Sequence, residues 1–258
     1  MLHVKILRSP HAHARIVSID TKQALDIPGV KAVITGEDLP EPPSQMQNLG
    51  EGAANLRFLS DNAMARKKAL YKGHAVAAVA ATDVHIAEEA LSAIKVKWEI
   101  LPAVLDTESA MLEDAPLVHD DLPQRPMEGD QTPPPNVARY FRFNIGDTQQ
   151  AFAESDTVVE REFRTQMVHQ GYIEPQTATA LWKEDDSLTI WCSSQGHFNV
   201  RDQTSNILQI PVSSIKVIPL EIGGGFGGKI GSTIYPVISI LSKKAGVSVK
   251  YSMTRSEV

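Results

Sequence analysis

Cysteine is almost absent from this chain of 258 residues, because Cys192 is the only one. A single cysteine excludes an internal disulfide framework, a four-cysteine zinc site and a self-contained iron–sulfur cluster. The sequence also lacks an apolar run approaching the roughly 20 residues of a membrane span, and its N-terminus lacks a secretory signal. These absences predict a soluble, cytoplasmic protein that borrows any iron–sulfur centre from elsewhere.

An excess of positive charge is absent as well. The formal net charge is -6, and lysines and arginines are interspersed with acids, so nothing supports nucleic-acid binding. Hydrophobic residues make up 42% and charged residues 22%, which are ordinary values for a globular protein. A chain of this length buries one large core or two ordinary ones. Composition therefore leaves the function open.

Residues 1–106 alternate strand-like runs with helical ones, which predicts an α+β unit. Asp83 is the expected N-cap of a helix whose apolar positions 87, 90, 91 and 94 share one face. Continuous or alternating apolar residues predict the strands of this unit. These strands are Val4–Leu7, Ala14–Ile19, Val30–Ile34, His74–Ala81 and Lys95–Ile100.

Residues 107–137 are rich in proline and show little hydrophobic periodicity. We therefore interpret them as a linker before a second domain over 138–258. In that domain Asp147 and Gln150 are expected to form a capping box for a short helix. Longer helices are predicted at Phe198–Leu208 and at Ser232–Ala245, the latter ended by Gly246. Strands are predicted at Ala138–Asn144, Thr157–Met167, Thr177–Trp182, Leu188–Cys192, Ile215–Leu220 and Val249–Met253.

The strongest motif is GGGFGGK, which occupies Gly223–Lys229 between a predicted strand and a predicted helix. Five glycines allow the backbone to approach a ligand closely, and consecutive amide donors ahead of a helix can bind an anion or a metal-bound group. A plain strand-to-helix turn would need only one or two glycines. The loop therefore predicts ligand binding and leaves the ligand open.

Two nucleotide-binding motifs compete for this loop. Gly223, Gly228 and Lys229 satisfy the spacing of a P-loop, but Ile230 stands where a serine or threonine would hold magnesium. The dinucleotide fingerprint fits as Gly223, Gly225 and Gly228, yet only about 30 residues follow, too few to complete that fold. Both motifs remain weaker alternatives.

A larger set of motifs resembles the large subunit of the molybdenum hydroxylases, the family of xanthine dehydrogenase, aldehyde oxidase and carbon monoxide dehydrogenase. GGGFGGK follows an IKVIPLEI strand and is preceded by CSSQGHFNVRDQ and HQGYIEP. ILRSPHAHARI, PGVKAVITGEDLP and YKGHAVAAVAA resemble that family's α/β hammerhead domain. The resemblance implies a hammerhead domain at 1–106 and the first part of the molybdopterin-binding domain at 138–258, with the rest of the subunit outside this chain.

The resemblance also implies an activity and a site. Such enzymes hydroxylate an aldehyde or aromatic heterocycle with oxygen from water at a molybdenum–molybdopterin cofactor, in its plain or cytosine dinucleotide form. By this resemblance, Gln195 corresponds to the active-site glutamine. Gly225, Phe226 and Gly227 correspond to the loop whose backbone approaches molybdenum. The metal itself is expected to have no direct protein ligand. The catalytic glutamate is expected beyond residue 258. Electrons pass to [2Fe–2S] clusters and FAD on partner domains or subunits.

One departure from the family concerns the substrate. The purine-oxidising members carry a glutamate after the loop lysine, whereas Ile230 can neither donate nor accept a hydrogen bond, which argues against xanthine. The cysteine loop of the carbon monoxide enzymes is not found, and Cys192 is expected to be a core thiol. A non-catalytic binding module that keeps the fold without the cofactor is the alternative from another class.

The remaining candidate residues are expected to have structural or supporting roles. His11 and His13 would share one side of an extended segment, but no third metal ligand is nearby, so a structural role is expected. The HQGYIEP segment is expected to support packing and the cofactor channel. Within it, Glu174 is expected to be a buried hydrogen-bonding group and not the catalytic base, and the others are His169, Gln170 and Tyr172.

Overall fold

A computed structural model of the chain describes residues 1–48, 53–121, 132–138, 140–231 and 234–258. The chain folds into two compact units, one formed by 1–101 with 170–258 and the other by 102–169. The strands are β1 Leu2–Arg8, β2 Ala14–Asp20, β3 Val30–Thr35, β4 Met46–Asn48, β5 Ala53–Asn55, β6 Lys68–Ala69, β7 Ala75–Ala81, β8 Lys95–Ile100, β9 Thr177–Trp182, β10 Leu188–Cys192, β11 Ile215–Pro219 and β12 Val249–Ser252. The α-helices are α1 Lys22–Leu25, α2 Leu56–Ala63, α3 Val84–Ala93, α4 Thr107–Ala110, α5 Thr148–Glu154, α6 His197–Leu208 and α7 Ile234–Ala245.

A seven-stranded mixed sheet organises the larger unit, in the order β11-β10-β9-β12-β1-β7-β3. Strand β1 joins its two halves, because it pairs antiparallel with β7 and parallel with β12, where Leu2 lies opposite Val249. Strands from the predicted first and last domains thus share one sheet. The division of the sequence at 106 and 137 stays a prediction.

The alanine-rich strand β7 lies inside this sheet and is buried at all seven positions. Side chains alternate between the two faces of a strand. Ala78 and Ala80 accordingly join the core cluster that contains α7, while Ala77 and Val79 join the cluster that contains α3. The small side chains let a helix pack closely on each face of the strand. Because both faces are buried, apolar residues occupy every position of β7 and do not alternate with polar ones.

Most elements predicted in this unit are confirmed within one or two residues. Asp83 caps α3, since its side chain accepts the His85 N–H at 2.8 Å, and Ala87 and Ala90 are buried. Gly246 follows α7 with φ of 69° and donates to the Ser242 carbonyl at 2.9 Å. Helix α7 begins at Ile234, and residues 232 and 233 of the predicted helix lie outside the described residues.

Two predicted strands are wrong. No strand forms in the described residues of 138–144, where 139 lies outside the description, or in 157–167. The alternating pattern there is strand-like, but a strand also needs a hydrogen-bonding neighbour, and the described part of the 102–169 unit contains none. Phe141 and Phe163 are consequently 76% and 87% exposed. The short helix α4 occupies part of the predicted linker.

The expected capping box of α5 forms only in part. The Asp147 side chain accepts the Gln150 N–H at 2.9 Å, as predicted. The Gln150 side chain, however, donates to Glu154 one turn further along the helix at 2.6 Å. The helices in the described residues include none long and apolar enough to cross a membrane.

A charged cluster fastens the ends of β1 and β12. Arg8 donates to Glu257 at 2.8 Å and to the Tyr251 hydroxyl at 3.0 Å, and that hydroxyl donates to Glu257 at 2.7 Å. Burial alone would raise the pKa of the Glu257 carboxyl, but hydrogen bonds from the Thr254 N–H, Arg8 and Tyr251 outweigh burial and lower it. The ionised carboxylate is therefore the form that the fold stabilises.

We expect Glu257→Gln to lower the free energy of unfolding at pH 7 by about 2 kcal/mol, because charge-assisted hydrogen bonds are lost. A lowered pKa in the folded state means that the stabilisation is complete above the ordinary value of 4.5 and disappears as pH falls through the folded-state pKa. The free energies of unfolding of wild type and variant should therefore become equal at pH values below the folded-state pKa of Glu257. Glu89→Gln, at an exposed position of α3, is the control, and an equal loss there would contradict the assignment.

Candidate cofactor site

The glycine loop and the segment after β10 meet at one edge of the large sheet. Strands β10 and β11 are parallel neighbours, with Leu188 opposite Ile215 and Cys192 opposite Pro219. The segments that follow these two strands therefore leave the sheet at the same edge. The carboxyl ends of neighbouring parallel strands are a common place for ligands in mixed and parallel sheets. This pairing places Gln195 beside Gly223–Lys229, as the resemblance implied.

Gln195 is bonded to the loop through both its backbone and its side chain. Its N–H donates to the Lys229 carbonyl at 2.9 Å, while its side-chain oxygen accepts the N–H groups of Gly227 at 3.0 Å and Lys229 at 3.2 Å. Only the oxygen of a glutamine amide can accept two backbone donors, so these bonds fix the orientation of the amide. The NH₂ group of this exposed side chain is left as the hydrogen-bond donor.

Gly225 is required by this contact. A Cβ atom added at Gly225 would overlap the Gln195 side-chain oxygen, so any other residue would displace one of the two. The next residue, Phe226, adopts the left-handed region with φ of 50° and leaves 74% of its surface exposed. A bulky residue held in that region is strained and is often found at functional sites. The loop therefore contacts Gln195 closely at Gly225 and exposes the Phe226 side chain to solvent.

An ion pair that the sequence did not predict closes the loop. Lys229 is only 1% exposed, and its ammonium lies 2.6 Å from Glu174 and 5.0 Å from the centre of the Tyr172 ring. Glu174 also accepts the Gly223 N–H at 2.7 Å. Burial would raise the pKa of Glu174, but the hydrogen bonds from Lys229 and Gly223 outweigh burial and lower it. The expected hydrogen bonding of Glu174 is confirmed, but its expected burial is wrong, because the side chain is 36% exposed.

This ion pair also counts against the P-loop alternative. A P-loop lysine reaches out to phosphate groups from the first turn of a helix. Here the Lys229 ammonium is instead buried against a carboxylate. With Ile230 in the magnesium-binding position, the loop lacks both the free ammonium and the hydroxyl that a P-loop offers to the phosphates and to magnesium.

Within the HQGYIEP segment, Tyr172 and Glu174 contact the ends of the glycine loop. Tyr172 is 3% exposed, as expected for a packing residue, whereas Gln170 is exposed and His169 is an exposed residue of the other unit. Arg255 donates to the carbonyls of Tyr172, at 3.0 Å, and Ile173. Arg255 was missed because its contacts are carbonyl oxygens, which leave no trace in the sequence.

The other candidates have structural roles. His13 is 5% exposed, and His11 packs edge-on against Trp98 with 5.5 Å between ring centres. Across the described ranges no group of three or more histidine, cysteine, aspartate or glutamate residues could hold a metal. Cys192 is fully buried, and burial raises the pKa of its thiol to about 11, as expected for a core residue. A cavity of about 720 Å³ in the 102–169 unit contains none of the predicted site residues.

Comparison with known families identifies the two domains of the chain. Residues 130–258 match the model of the molybdopterin cofactor-binding domain, and residues 1–102 match that of the aldehyde oxidase and xanthine dehydrogenase a/b hammerhead domain. The chain belongs to the molybdopterin cofactor-binding family. The predicted fold class, a hammerhead domain followed by the first part of a molybdopterin-binding domain, is confirmed, as is the predicted class of cofactor.

Relatives with curated names include two bacterial subunits. The xanthine dehydrogenase molybdenum-binding subunit of Escherichia coli O157:H7 is 34% identical over 263 residues, which cover 100% of this chain and 33% of that protein. The carbon monoxide dehydrogenase large chain of Afipia carboxidovorans is 35% identical, over 100% of this chain and 32% of its own. The chain thus spans about a third of the length of these relatives.

Solved structures give the same result. Quinoline 2-oxidoreductase from Pseudomonas putida 86 superposes with a TM-score of 0.81 and 31% identity, over 99% of this chain and 31% of its own. Aldehyde oxidoreductase from Desulfovibrio gigas superposes with a TM-score of 0.78 and 26% identity, over 98% of this chain and 27% of its own. These enzymes act on chemically different substrates, so the shared fold does not by itself select one.

We expect Gly225→Ala to destabilise the chain by about 1 to 3 kcal/mol, the usual cost of forcing a methyl group into a filled space. Unfolding in denaturant measures the loss, and the structure of the variant should show the Gln195 side chain displaced from the loop. Gly231→Ala is the matched control, because its added Cβ would lie 3.3 Å from the flexible end of Gln203. Equal effects of the two changes would contradict the close contact with Gln195.

Proposed function

We propose that this chain is part of the molybdenum-cofactor subunit of an oxidoreductase that hydroxylates an aldehyde or an aromatic heterocycle with oxygen derived from water. One observation carries the proposal: the glycine loop holds the Gln195 amide by its oxygen, so that its NH₂ group is presented as a donor. This arrangement occurs in a chain of the molybdopterin cofactor-binding family.

The residues present fit a bound molybdopterin. The inner side of the loop is filled at Gly225 by Gln195, whereas a Cβ added at Gly227 would meet no atom of the described residues within 4 Å. The loop therefore offers an open outer side to a large ligand. When bound, the cofactor supplies the metal and the electron acceptor for the oxidation. Gln195 and Phe226 would lie near molybdenum without acting as its ligands.

To the reaction, this chain is proposed to contribute uncharged hydrogen-bond donors that are held in a fixed orientation. Gln195 donates through its amide NH₂, and the loop backbone at Gly225 and Phe226 would supply further N–H groups, whereas the Gly227 N–H is already used to hold the Gln195 oxygen. Donors fixed before the reaction stabilise developing negative charge without the cost of reorienting solvent. Gln195 is thus proposed to orient the cofactor, whereas the proton-accepting glutamate is proposed to lie outside this chain.

Further parts of the enzyme are required by the chemistry. The chain has one cysteine, which is buried, so it cannot hold a [2Fe–2S] cluster. We therefore propose that iron–sulfur and FAD domains or subunits, with the remaining part of the molybdenum subunit, complete the enzyme. The names of the relatives, a molybdenum-binding subunit and a large chain, support a multi-subunit assembly. The cytosine dinucleotide form of the cofactor and a cytoplasmic location remain predictions.

The substrate proposal depends on Ile230. Its apolar side chain follows the loop directly and offers no hydrogen bond to a purine, so we propose an aldehyde or aromatic heterocycle in preference to xanthine. A relative in Escherichia coli carries a xanthine dehydrogenase name, but a shared fold does not transfer a substrate. Turnover of a panel of aldehydes, quinolines and purines by the natural enzyme ranks the three classes.

Cofactor content is the direct test of the proposed function. We expect the subunit, purified in its natural assembly, to contain about one molybdenum and one pterin per copy of this chain. Metal analysis and fluorescence of the oxidised pterin measure both. Their absence from an intact assembly would defeat the proposal and favour a binding module that keeps the fold without the cofactor.

Gln195 has a sharper test of its own. We expect Gln195→Ala in the active assembly to reduce kcat by roughly 10²-fold, as the loss of one pre-oriented donor does elsewhere, with little change in molybdenum content. The control is Gln23→Ala, at an exposed position of α1. Unchanged turnover in a molybdenum-loaded Gln195→Ala enzyme would remove Gln195 from the site.

A further inference from the structure

We propose that the Glu174–Lys229 ion pair is a positioning clamp, which holds the loop Gly223–Lys229 in the conformation that fixes Gln195. Neither residue is proposed to contact the substrate. The clamp rests on the proposed function, since its effect on turnover is expressed through Gln195. It adds two charged residues to a site whose other proposed contributions are neutral.

The clamp joins the two ends of the loop. One carboxylate oxygen of Glu174 accepts the N–H of Gly223 at 2.7 Å and the ammonium of Lys229 at 2.6 Å. These are the first and last residues of the loop. The residues between them are free to move only as far as their two fixed ends allow. The carboxylate therefore closes the loop into a ring without touching its apex.

Lys229 transmits this constraint to Gln195. Its backbone N–H donates to the Gln195 side-chain oxygen at 3.2 Å, and its carbonyl accepts the Gln195 N–H at 2.9 Å and the Ser194 hydroxyl at 3.0 Å. The same residue thus holds Glu174 with its side chain and Gln195 with its backbone. A shift of Lys229 must move the Gln195 amide.

Burial makes the two partners unequal. Lys229 is 1% exposed, so its charge needs a partner, whereas the Glu174 side chain is 36% exposed and can be solvated. Removing Glu174 strands a buried ammonium beside the Tyr172 ring. Removing Lys229 leaves an acid in contact with water that still accepts the Gly223 N–H. The Glu174 variant should therefore perturb the loop more than the Lys229 variant.

Steric fit supports the same reading. A Cβ added at Gly223 would lie 2.5 Å from the Glu174 Cβ, so the loop backbone rests directly on the Glu174 side chain. Phe226 is held at a positive φ, which the loop maintains only while its surroundings constrain it. Loosening either end of the loop releases this strain and lets the backbone relax away from Gln195.

The test uses the natural assembly with Glu174→Ala, Lys229→Met and the double variant. The matched controls are Glu221→Ala and Lys216→Met, which remove one charge of each sign at exposed positions near the loop and on β11. Molybdenum content, kcat and KM are measured for each. Amide hydrogen exchange is followed by mass spectrometry in peptides that cover the loop, and it does not depend on activity.

We expect Glu174→Ala to lower kcat by roughly tenfold to a hundredfold, as small misplacements of an orienting group do, with KM and molybdenum content within twofold of wild type. Loop amides should exchange faster in Glu174→Ala than in Lys229→Met. The double variant should recover part of the protection, because no buried charge is left unpaired. The two controls should match wild type.

The outcomes separate the clamp from the proposed function. If wild type contains no molybdenum, the proposed function fails, and the exchange rates still decide the clamp. If molybdenum is bound and the clamp variants match the controls in kcat and exchange, the clamp is wrong and the proposed function stands. If Glu174→Ala does not assemble, Lys229→Met decides, since normal kcat and exchange in that variant would overturn the clamp.

Discussion

The parallel pairing of β10 with β11 is the constraint on which the candidate site depends. It sends the segment ending in Gln195 and the glycine loop out of the sheet at the same edge. Hydrogen bonds from Gly227 and Lys229 to the Gln195 oxygen then fix the amide, and Gly225 makes the close approach sterically acceptable. A third segment, which contains Tyr172 and Glu174, then buries the ammonium of Lys229 at the end of the loop.

The same sheet links the site to the N-terminal half of the chain. Strand β1 lies between β12 and β7, so the hammerhead segment and the cofactor-binding segment share hydrogen bonds and a core. The cluster of Arg8, Tyr251 and Glu257 fastens this junction, and Arg255, two residues before Glu257, holds the segment that contacts the ends of the loop. The arrangement gives the loop a rigid base, which donors that must be oriented before a reaction require.

Much of the fold was predictable where local chemistry and burial agree. Asp83 capped α3, Gly246 ended α7, and the apolar runs of β7, β9 and β10 formed strands. Prediction failed at 138–144 and 157–167, where an alternating pattern met no neighbouring strand in the described residues. Periodicity reports which face of a segment is apolar, but a strand exists only through its partner.

By itself, the sequence determined most of the local elements, the presence of a glycine-rich loop between a strand and a helix and, through motifs in a fixed order, the family. Ile230 and the single cysteine already argued against a nucleotide and against an internal iron–sulfur cluster. Only the tertiary structure decided that Lys229 is buried against Glu174 and that the Gln195 oxygen faces the loop. The physical reason is distance along the chain: an ion pair between residues 55 positions apart has no local signature and depends on how the strands pair.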